Sequence, residues 1–291
     1  MTISVVIPAY NGARFIDQAI LSVLNQERRP DEIIVCDDGS SDATLSICRR
    51  YADQVSVWSN RTGPSGFVNG WNTAICRAKG EYISILHQDD LLSPAFIRLG
   101  MEALEREPSV GHLFCTCQYI DEEGVVVGSS YPDVGELRVV NYNGLGYVRA
   151  YQQQGSPHIH RCPGVITHRR IFEQCRYEPL AGHIADDDFF YRVGMYTDVL
   201  GLLQPLAAFR VHPGSVTGSM EDSTLAGQLM DDYLYQCRQW KGHSFLDAEA
   251  YGYFVRNAFK YARRYIGFGV KRGNLKMLAR GVRGWMQVHT L

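Results

Sequence analysis

Hydrophobic and polar positions alternate along the first 90 residues with two different periods. Short continuous apolar runs predict buried strands over residues 3–7, 32–36, 55–58 and 82–86. Between these runs, apolar residues recur at helical spacing and predict helices over residues 13–24, 42–51 and 67–78. Strands that alternate with helices form βαβ units with right-handed crossovers. The pattern therefore predicts an α/β fold with a mostly parallel, doubly wound sheet and helices on both faces.

After residue 90 the pattern is less regular. It predicts helices over residues 94–105 and 186–196, and strands over residues 111–119, 125–127, 165–168 and 206–211. Residues 128–160 are rich in glycine, tyrosine, proline and glutamine, and we interpret them as mainly loop. From residue 221 onward helical periodicity dominates. We therefore expect one α/β domain over residues 1–220 and a helical extension over residues 221–291.

Polar clusters follow three of the predicted strands. The first strand ends at residues 8–11 (PAYN), the second at residues 37–38 (DD) and the fourth at residues 87–90 (HQDD). In an open parallel sheet the carboxyl ends of the strands share one edge, and the ligand crevice forms there. The topology therefore predicts that these separated clusters meet in one binding site.

The first strand is not followed by either of the common glycine-rich phosphate loops. A dinucleotide site needs Gly-x-Gly-x-x-Gly and a P-loop needs Gly-x-x-x-x-Gly-Lys-Ser/Thr, whereas the chain has PAYNGARF. A divalent cation held by carboxylates is the other common arrangement, and Asp89 and Asp90 are placed for it. Both acids could instead cap the next helix, although the Ser-Pro pair at 93–94 already provides a good start. For Asp37 and Asp38, a turn-forming role and a functional role remain equally open.

Composition narrows the class and the location of the protein. The 291 residues are 45% hydrophobic and carry a net charge of −2, as in an ordinary globular protein. No apolar run reaches the roughly 18 residues of a membrane-spanning helix, and the N-terminus lacks the pattern of a signal peptide. We therefore expect a cytoplasmic protein with its eight cysteines reduced.

The C-terminal segment is strongly basic. Residues 250–291 contain nine Lys or Arg and no Asp or Glu, mixed with aromatic and aliphatic side chains. A basic amphipathic helix can lie on the anionic inner face of a cell membrane as a peripheral anchor. It can equally pack on the rest of the protein, with its cations solvated or balancing the acidic body. Nucleic acid is not an expected partner, because the rest of the chain is acidic.

Several stretches carry, in order, the resemblance of this chain to a known family: SVVIPAYNGARFIDQAILSVLNQ, DEIIVCDDGSSDAT, NTAICRAKGEYISILHQDD and ADDDFFYRVGMY, with FRVH further on. The ordered set resembles the family 2 glycosyltransferases, which have the GT-A fold. The resemblance implies an inverting enzyme that takes a sugar from a nucleotide diphosphate and needs Mg²⁺ or Mn²⁺. It also implies a nucleotide-binding half over residues 1–92 and an acceptor half over residues 93–220.

The resemblance also implies roles for individual residues at the strand ends. The nucleotide-binding residues that it implies are Pro8, Ala9, Tyr10, Asp37, Asp38 and Asp89. Among them, Tyr10 flanks the base and Asp38 holds the base or the ribose. The implied metal ligand is Asp90, with Asp89 beside it and near the ribose.

On the acceptor side, the resemblance implies that Asp186 is the catalytic base. Aligning on the aromatic run and arginine at residues 189–192 puts the acid of the family there, and Asp187 or Asp188 takes the role if the register slips. A carboxylate in this position accepts the proton of the acceptor hydroxyl as its oxygen attacks the anomeric carbon. Arg210 and His212 of FRVH are implied to approach the diphosphate or the metal.

Two residues depart from the family pattern. His87 stands where relatives usually have the first acid of the metal motif, and Trp71 stands where many have arginine. We interpret His87 as a buried or half-buried residue at a strand end, in preference to a metal ligand. The loss of the arginine leaves open how the diphosphate is held and which donor is used.

The predicted reaction is transfer from a UDP- or dTDP-sugar to a hydroxyl of a glycan or lipid-linked acceptor, in the synthesis of surface polysaccharide. A nucleotidyltransferase would share the sheet and carboxylates, but it normally has a glycine-rich loop with Arg or Lys after the first strand. The non-enzymatic alternative is a catalytically inactive module that binds a sugar nucleotide or a glycan.

Overall fold

A computed structural model describes residues 1–132, 135–153, 159–215, 218 and 221–290. Strands in these ranges form one mixed sheet: β1 (Ile3–Ala9), β2 (Glu32–Asp37), β3 (Ser56–Ser59), β4 (Tyr82–Ile85), β5 (Leu91–Leu92), β6 (His112–Ile120), β7 (Val126–Ser129), β8 (Val139–Tyr142), β9 (Val165–His168) and β10 (Val199–Arg210). Their order is β3-β2-β1-β4-β9-β6-β10-β5, with β7 beside β6 and β8 beside β10. The first four strands pair in parallel, as does β6 with β10, whereas β9 is antiparallel to both neighbours. The predicted α/β fold is thus confirmed.

Helices lie between the strands and follow the last of them. They are α1 (Ile16–Leu24), α2 (Thr44–Arg49), α3 (Phe67–Arg77), α4 (Phe96–Arg106), α5 (Gly144–Gln153), α6 (Arg169–Gln174), α7 (Ala185–Val193), α8 (Asp222–Trp240), α9 (Ala248–Lys271) and α10 (Leu275–His289), with a 3₁₀ segment at Pro179–Ile184. The predicted helical C-terminal part is confirmed. Within the described ranges, no helix combines the length and the apolar character needed to cross a membrane.

Strands β1, β2 and β4 are buried on both faces because helices cover the sheet. Every residue of β1 is buried, and α1 turns Ile16, Ala19, Ile20 and Val23 inward at helical spacing. Helix α3 packs on β1 and β2. A strand with no exposed face has no alternating pattern, which explains the continuous apolar runs in the sequence. The polar clusters come directly after these runs, at the carboxyl edge.

The chain divides into two compact units. Unit 1 comprises Met1–Tyr177 and Arg192–Val211, and it contains the whole sheet. Unit 2 comprises Glu178–Tyr191 and His212–Leu291, and it contains the 3₁₀ segment and helices α8 to α10. The predicted boundary at residue 220 lies outside the described residues. Unit 2 also takes in residues 178–191, which the sequence prediction had placed in the acceptor half.

Strand β10, strand β8 and helix α5 differ from the sequence prediction. Strand β10 starts at Val199, seven residues before the predicted start at 206, because the preceding residues pair with both β6 and β8. Residues 128–160 were expected to be loop, yet β8 and α5 lie there. Glycine lowers helix propensity, but Gly144 of α5 is needed for close packing. A Cβ on Gly144 would lie 1.7 Å from the Gly194 carbonyl oxygen. Packing outweighs propensity here.

Candidate active site

Hydrogen bonds join the strand ends that the sequence predicts to meet. The Asp38 amide donates to the Ala9 carbonyl over 2.7 Å, which ties β2 to β1 at the edge of the sheet. Beyond the strands, the Asn11 amide donates to Ser40 Oγ over 2.9 Å. Asn11 has a φ of +48°, a left-handed conformation that asparagine tolerates better than most residues. The loops after β1 and β2 therefore form one connected rim.

Gln88 connects the loop after β4 to this rim. Its Oε1 accepts from the Tyr10 amide over 2.8 Å, and its Nε2 donates to the Tyr10 carbonyl over 3.0 Å. The fit depends on Gly12, since a Cβ there would lie 2.2 Å from Gln88 Oε1. The Tyr10 backbone is fixed in this way while its side chain stays 46% exposed. We assigned no role to Gln88 from the sequence, although its place between the polar residues at 87 and 89 was a signal.

Four of the predicted nucleotide-binding residues are buried: Pro8, Ala9, Asp37 and Asp38. The Asp37 carboxylate accepts from the Ser40 amide and from Ser59 Oγ, which closes its own turn. The Asp38 carboxylate accepts from the Ser65 amide over 2.7 Å and from Asn60 Nδ2 over 2.9 Å. Both acids therefore shape the rim. Their direct contact with a nucleotide stays a prediction.

Asp90 is buried with one of its two oxygens unused. Its side chain is 1% exposed, and Oδ1 accepts from the Arg210 amide over 2.8 Å. Among the residues that the structure describes, Oδ2 has no hydrogen-bond partner. A buried carboxylate oxygen without a donor costs free energy unless a proton or a cation binds it. Asp89, next to it, is half-buried.

Arg210 holds the backbone around these acids. Its Nε donates to the Asp89 carbonyl over 2.9 Å, and Nη1 donates to the carbonyls of Asp121 and Glu122. Nη2 donates to Gln18 Oε1 over 2.7 Å. The residue is 1% exposed, so its guanidinium serves as an internal brace. The contact of Arg210 with a diphosphate stays a prediction, as does that of His212, a partly buried residue of unit 2.

The electrostatics of Asp90 favour a bound proton or cation. Burial raises the pKa of Asp90 well above its ordinary value, and the neighbouring Asp89 charge raises it further. The amide and charge of Arg210 act in the opposite direction but do not offset the burial. Without a positive ligand, burial therefore favours the protonated form of this carboxyl over the charged one.

The residues fit a metal that takes few protein ligands. In the described part of the chain, no three His, Cys, Asp or Glu side chains are grouped to hold an ion by themselves. Mg²⁺ typically binds one or two carboxylates and completes its shell with water and substrate phosphates. Asp90, with its unused buried oxygen, and the adjacent Asp89 match that donor set.

The two departures from the family pattern are in contact with each other. The rings of Trp71 and His87 stack, with centroids 4.7 Å apart and planes 24° apart, and Tyr177 meets Trp71 edge-on. Burial lowers the pKa of His87, so the imidazole is neutral at pH 7. Its Nδ1 lies 3.9 Å from Asp90 Oδ2, beyond hydrogen-bond distance. The two residues thus form an uncharged aromatic stack in this chain.

In unit 2, the acidic run at the start of α7 separates into different environments. Asp186 is partly exposed and accepts from the Asp187 amide over 3.0 Å. Asp187 is 8% exposed; burial raises the pKa of Tyr233 and Tyr253, and the Asp187 charge raises it further. Asp188 is 2% exposed and accepts from Gln236 Nε2 over 2.9 Å. Asp186 is therefore the member of the run that is most open to solvent.

Asp232 of α8 fixes the segment that leads into α7. Its Oδ2 accepts from the His183 amide over 3.0 Å and lies 3.4 Å from His183 Nδ1. Gly182 before it has a φ of +63°, and a Cβ there would lie 2.2 Å from Asp232 Oδ1. Only glycine satisfies both conditions. Sequence reasoning missed Asp232, because nothing in the pattern of α8 marks one acid among several as a tether.

Comparisons with known proteins identify the family. The sequence profile described as "Glycosyl transferase family 2" matches residues 4–175, more than half of the chain. A chondroitin synthase of Escherichia coli is 34% identical over 130 residues, which cover 44% of this chain and 19% of that enzyme. The Campylobacter jejuni GalNAc(5)-diNAcBac-PP-undecaprenol beta-1,3-glucosyltransferase is 34% identical over 126 residues, which cover 42% of this chain and 40% of that enzyme. The chain thus matches less than half the length of these two relatives.

Solved structures agree with the fold. The structure of S. aureus TarS residues 1–349 in complex with UDP-GlcNAc superposes with a TM-score of 0.71 at 16% identity, covering 99% of this chain and 81% of that one. The mannosyltransferase PcManGT from Pyrobaculum calidifontis, in complex with GDP-Man and Mn²⁺, gives 0.58 at 18% identity, covering 98% and 86%. With the matching profile, the mixed sheet and the acids at the carboxyl edge of its parallel strands, this chain belongs to glycosyl transferase family 2 and has the GT-A fold.

Proposed function

We propose that the protein is an inverting, metal-dependent glycosyltransferase. It moves a sugar from a nucleotide-diphosphate donor, a UDP- or dTDP-sugar, to a hydroxyl of a glycan or lipid-linked acceptor. The observation that carries the proposal is the buried Asp90 carboxylate. It lies at the carboxyl edge of the sheet with one oxygen free of hydrogen bonds among the described residues.

Asp90 and Asp89 are the residues proposed to hold Mg²⁺ or Mn²⁺. When bound, the ion neutralises the negative charge that develops on the diphosphate leaving group. Tyr10, with a fixed backbone and an exposed ring, is proposed to flank the base. The remaining predicted nucleotide residues support the loops around it.

Asp186 is proposed as the base that takes the proton of the acceptor hydroxyl. Its partial exposure supports this choice, whereas Asp188 is engaged by Gln236 and Asp187 is buried near two tyrosines. A base must reach its proton within hydrogen-bond distance, which favours the accessible member of the run. The tether from Asp232 to His183 stabilises the backbone just before this residue.

The named relatives support the choice of substrates. Structures of the same fold hold UDP-GlcNAc or GDP-Man, and the latter complex also holds Mn²⁺. One relative is named for an undecaprenol diphosphate-linked acceptor and another for chondroitin synthesis. We therefore propose that the reaction belongs to polysaccharide synthesis. The cytoplasmic location of the enzyme stays a prediction from the sequence.

A thermal-shift panel tests the donor and the metal together. UDP-, dTDP- and GDP-sugars are each added with Mn²⁺, with Mg²⁺ or with EDTA. A ligand stabilises only the state that binds it, so the true donor should raise the Tm with the metal and much less with EDTA. Product formation from that donor is then followed with acceptor present. Stabilisation without transfer to any acceptor would favour an inactive binding module, and no stabilisation by any sugar nucleotide would contradict the proposal.

Gln88→Ala is expected to weaken donor binding without changing the chemical step. The two hydrogen bonds to Tyr10 are partly solvated, so their loss should raise the donor KM by about three- to tenfold and leave kcat nearly unchanged. Steady-state kinetics with varied donor measures both. Gln153→Ala, an exposed glutamine on α5, serves as the matched control. An unchanged KM in Gln88→Ala would show that Tyr10 is positioned by other contacts.

A further inference from the structure

Helix α10 carries an apolar stripe that faces solvent. Leu275 is 79% exposed, Val282 is 44% exposed and Met286 is 62% exposed. Together with the exposed Ala279, they recur every three or four residues and therefore lie along one side of the helix. A contiguous exposed apolar stripe on a helix marks an interaction surface more often than a scattered apolar residue does.

The opposite side of α10 is fixed against its neighbours. A Cβ on Gly281 would lie 2.7 Å from Ile266 of α9, and a Cβ on Gly284 would lie 2.5 Å from Met230 of α8. Trp285 packs edge-on against Phe259 of α9 with centroids 4.8 Å apart. These close approaches set the rotation of α10 about its axis. The apolar stripe therefore cannot turn inward without losing the packing.

The cations of the C-terminal segment fall into two classes. Three arginines pair with acids in or just before α8: Arg264 with Asp222, Arg272 with Glu221 and Arg280 with Asp231. The other six are exposed and have no ion pair among the described residues: Arg256, Lys260, Arg263, Lys271, Lys276 and Arg283. Lys276 and Arg283 each follow a member of the apolar stripe directly in the sequence. Ion pairs within unit 2 thus engage a third of the basic side chains, and the other six are available to bind an anionic partner.

The sequence left open whether the aromatic residues of this segment face a membrane or pack inside the protein, and two of them are buried. Phe254 is fully buried and Tyr265 is 7% exposed, and a Cβ on Gly227 of α8 would lie 2.7 Å from the Tyr265 ring. They form the interior of the helical unit. The exposed apolar surface of α10 is instead aliphatic, from leucine, valine and methionine.

We propose that this face of α10, made of Leu275, Lys276, Ala279, Val282, Arg283 and Met286, binds the surface of an anionic lipid bilayer. Aliphatic side chains enter the headgroup boundary while the flanking cations meet lipid phosphates. A second copy using the same face would bring cations against cations. Nucleic acid would satisfy the cations but would leave the stripe in contact with a charged backbone. The inference rests on unit 2 alone and stands independently of the catalytic proposal.

Co-sedimentation of the full chain with vesicles tests this surface. Phosphatidylcholine vesicles are compared with vesicles that also contain phosphatidylglycerol. The wild-type protein is expected to bind only the anionic vesicles, and less at high salt. Lys276→Gln with Arg283→Gln should weaken binding roughly 25-fold, at about fivefold for each cation. Leu275→Ser with Met286→Ser should weaken it by about tenfold or more.

Matched control variants remove the same types of side chain from the surface of unit 1. Arg49→Gln with Arg106→Gln removes two exposed cations from unit 1, and Val126→Ser with Val139→Ser removes two exposed valines. Both control variants should bind vesicles like the wild type. The proposal is overturned if the wild type does not bind anionic vesicles at low salt, or if controls and α10 variants lose binding equally. It is also overturned if the wild type self-associates or shifts a nucleic acid in a gel and the α10 variants abolish that binding, because the face would then bind a second copy or a nucleic acid.

Discussion

Asp186→Asn is expected to stop sugar transfer while leaving donor binding intact. Asparagine keeps the size of the side chain and its acceptor oxygen for the Asp187 amide, but it cannot take up a proton. Loss of a general base typically lowers kcat by about 10²- to 10⁴-fold. Release of nucleoside diphosphate in the presence of acceptor measures kcat. The metal-dependent thermal shift with donor measures binding in the same protein.

Two companion variants test the register of the acidic run. Asp198→Asn changes an exposed acid outside the run and should behave as the wild type. Asp187→Asn tests the neighbouring position. Full turnover by Asp186→Asn would remove this residue from the mechanism. If only Asp187→Asn loses transfer activity, the catalytic base is Asp187 and not Asp186.

Asp90→Asn is expected to have opposite effects on activity and on stability. The unused buried oxygen would no longer carry a charge for the metal, so metal-supported transfer should fall by roughly 10²- to 10³-fold. The neutral amide retains an oxygen that can accept from the Arg210 amide. Because burial raises the pKa of Asp90, the metal-free wild type loses stability as pH rises from the ordinary carboxyl value of 3.8 through the raised one. The variant lacks that loss.

The stability of Asp90→Asn relative to the wild type in EDTA should therefore be greater at about pH 8 than at about pH 4, since the loss in the wild type begins near the ordinary carboxyl value of 3.8. Urea unfolding at both pH values measures this difference. Adding Mn²⁺ should stabilise the wild type and leave the variant unchanged. Asp53→Asn, at an exposed acid, is the matched control. An equal response of Asp90→Asn and wild type to Mn²⁺ would place the metal elsewhere.

The sequence allowed the first half of the sheet and the acidic edge to be predicted because both depend on local pattern. A strand buried on two faces is continuously apolar, and the residues that end it become polar at the rim. The run from residue 82 to Asp90 contains both signals. The start of β10 was predicted too late because residues 199–205 lack a clear local strand pattern. They include a glycine and a proline, and they form strand only because they pair with β6 and β8.

The contacts that complete the site could not be predicted, because they join residues far apart in the chain. Gln88 reaches Tyr10 across 78 residues, and Asp232 reaches His183 across 49. The stacking of Trp71 on His87 joins two positions 16 residues apart, which the sequence analysis treated separately. Periodicity carries no information about such pairs.

The brace formed by Arg210 also affects when the site forms during synthesis. Asp90 and Arg210 are separated by 120 residues, so the acidic pair leaves the ribosome long before the residue that supports it. At about 5–20 residues per second, the interval is roughly 6 to 24 seconds. During that time Asp90 lacks its amide partner and Asp89 lacks the donor to its carbonyl. The proposed metal site of a nascent chain is therefore incomplete until β10 has joined the sheet, and we expect activity only when unit 1 is nearly complete.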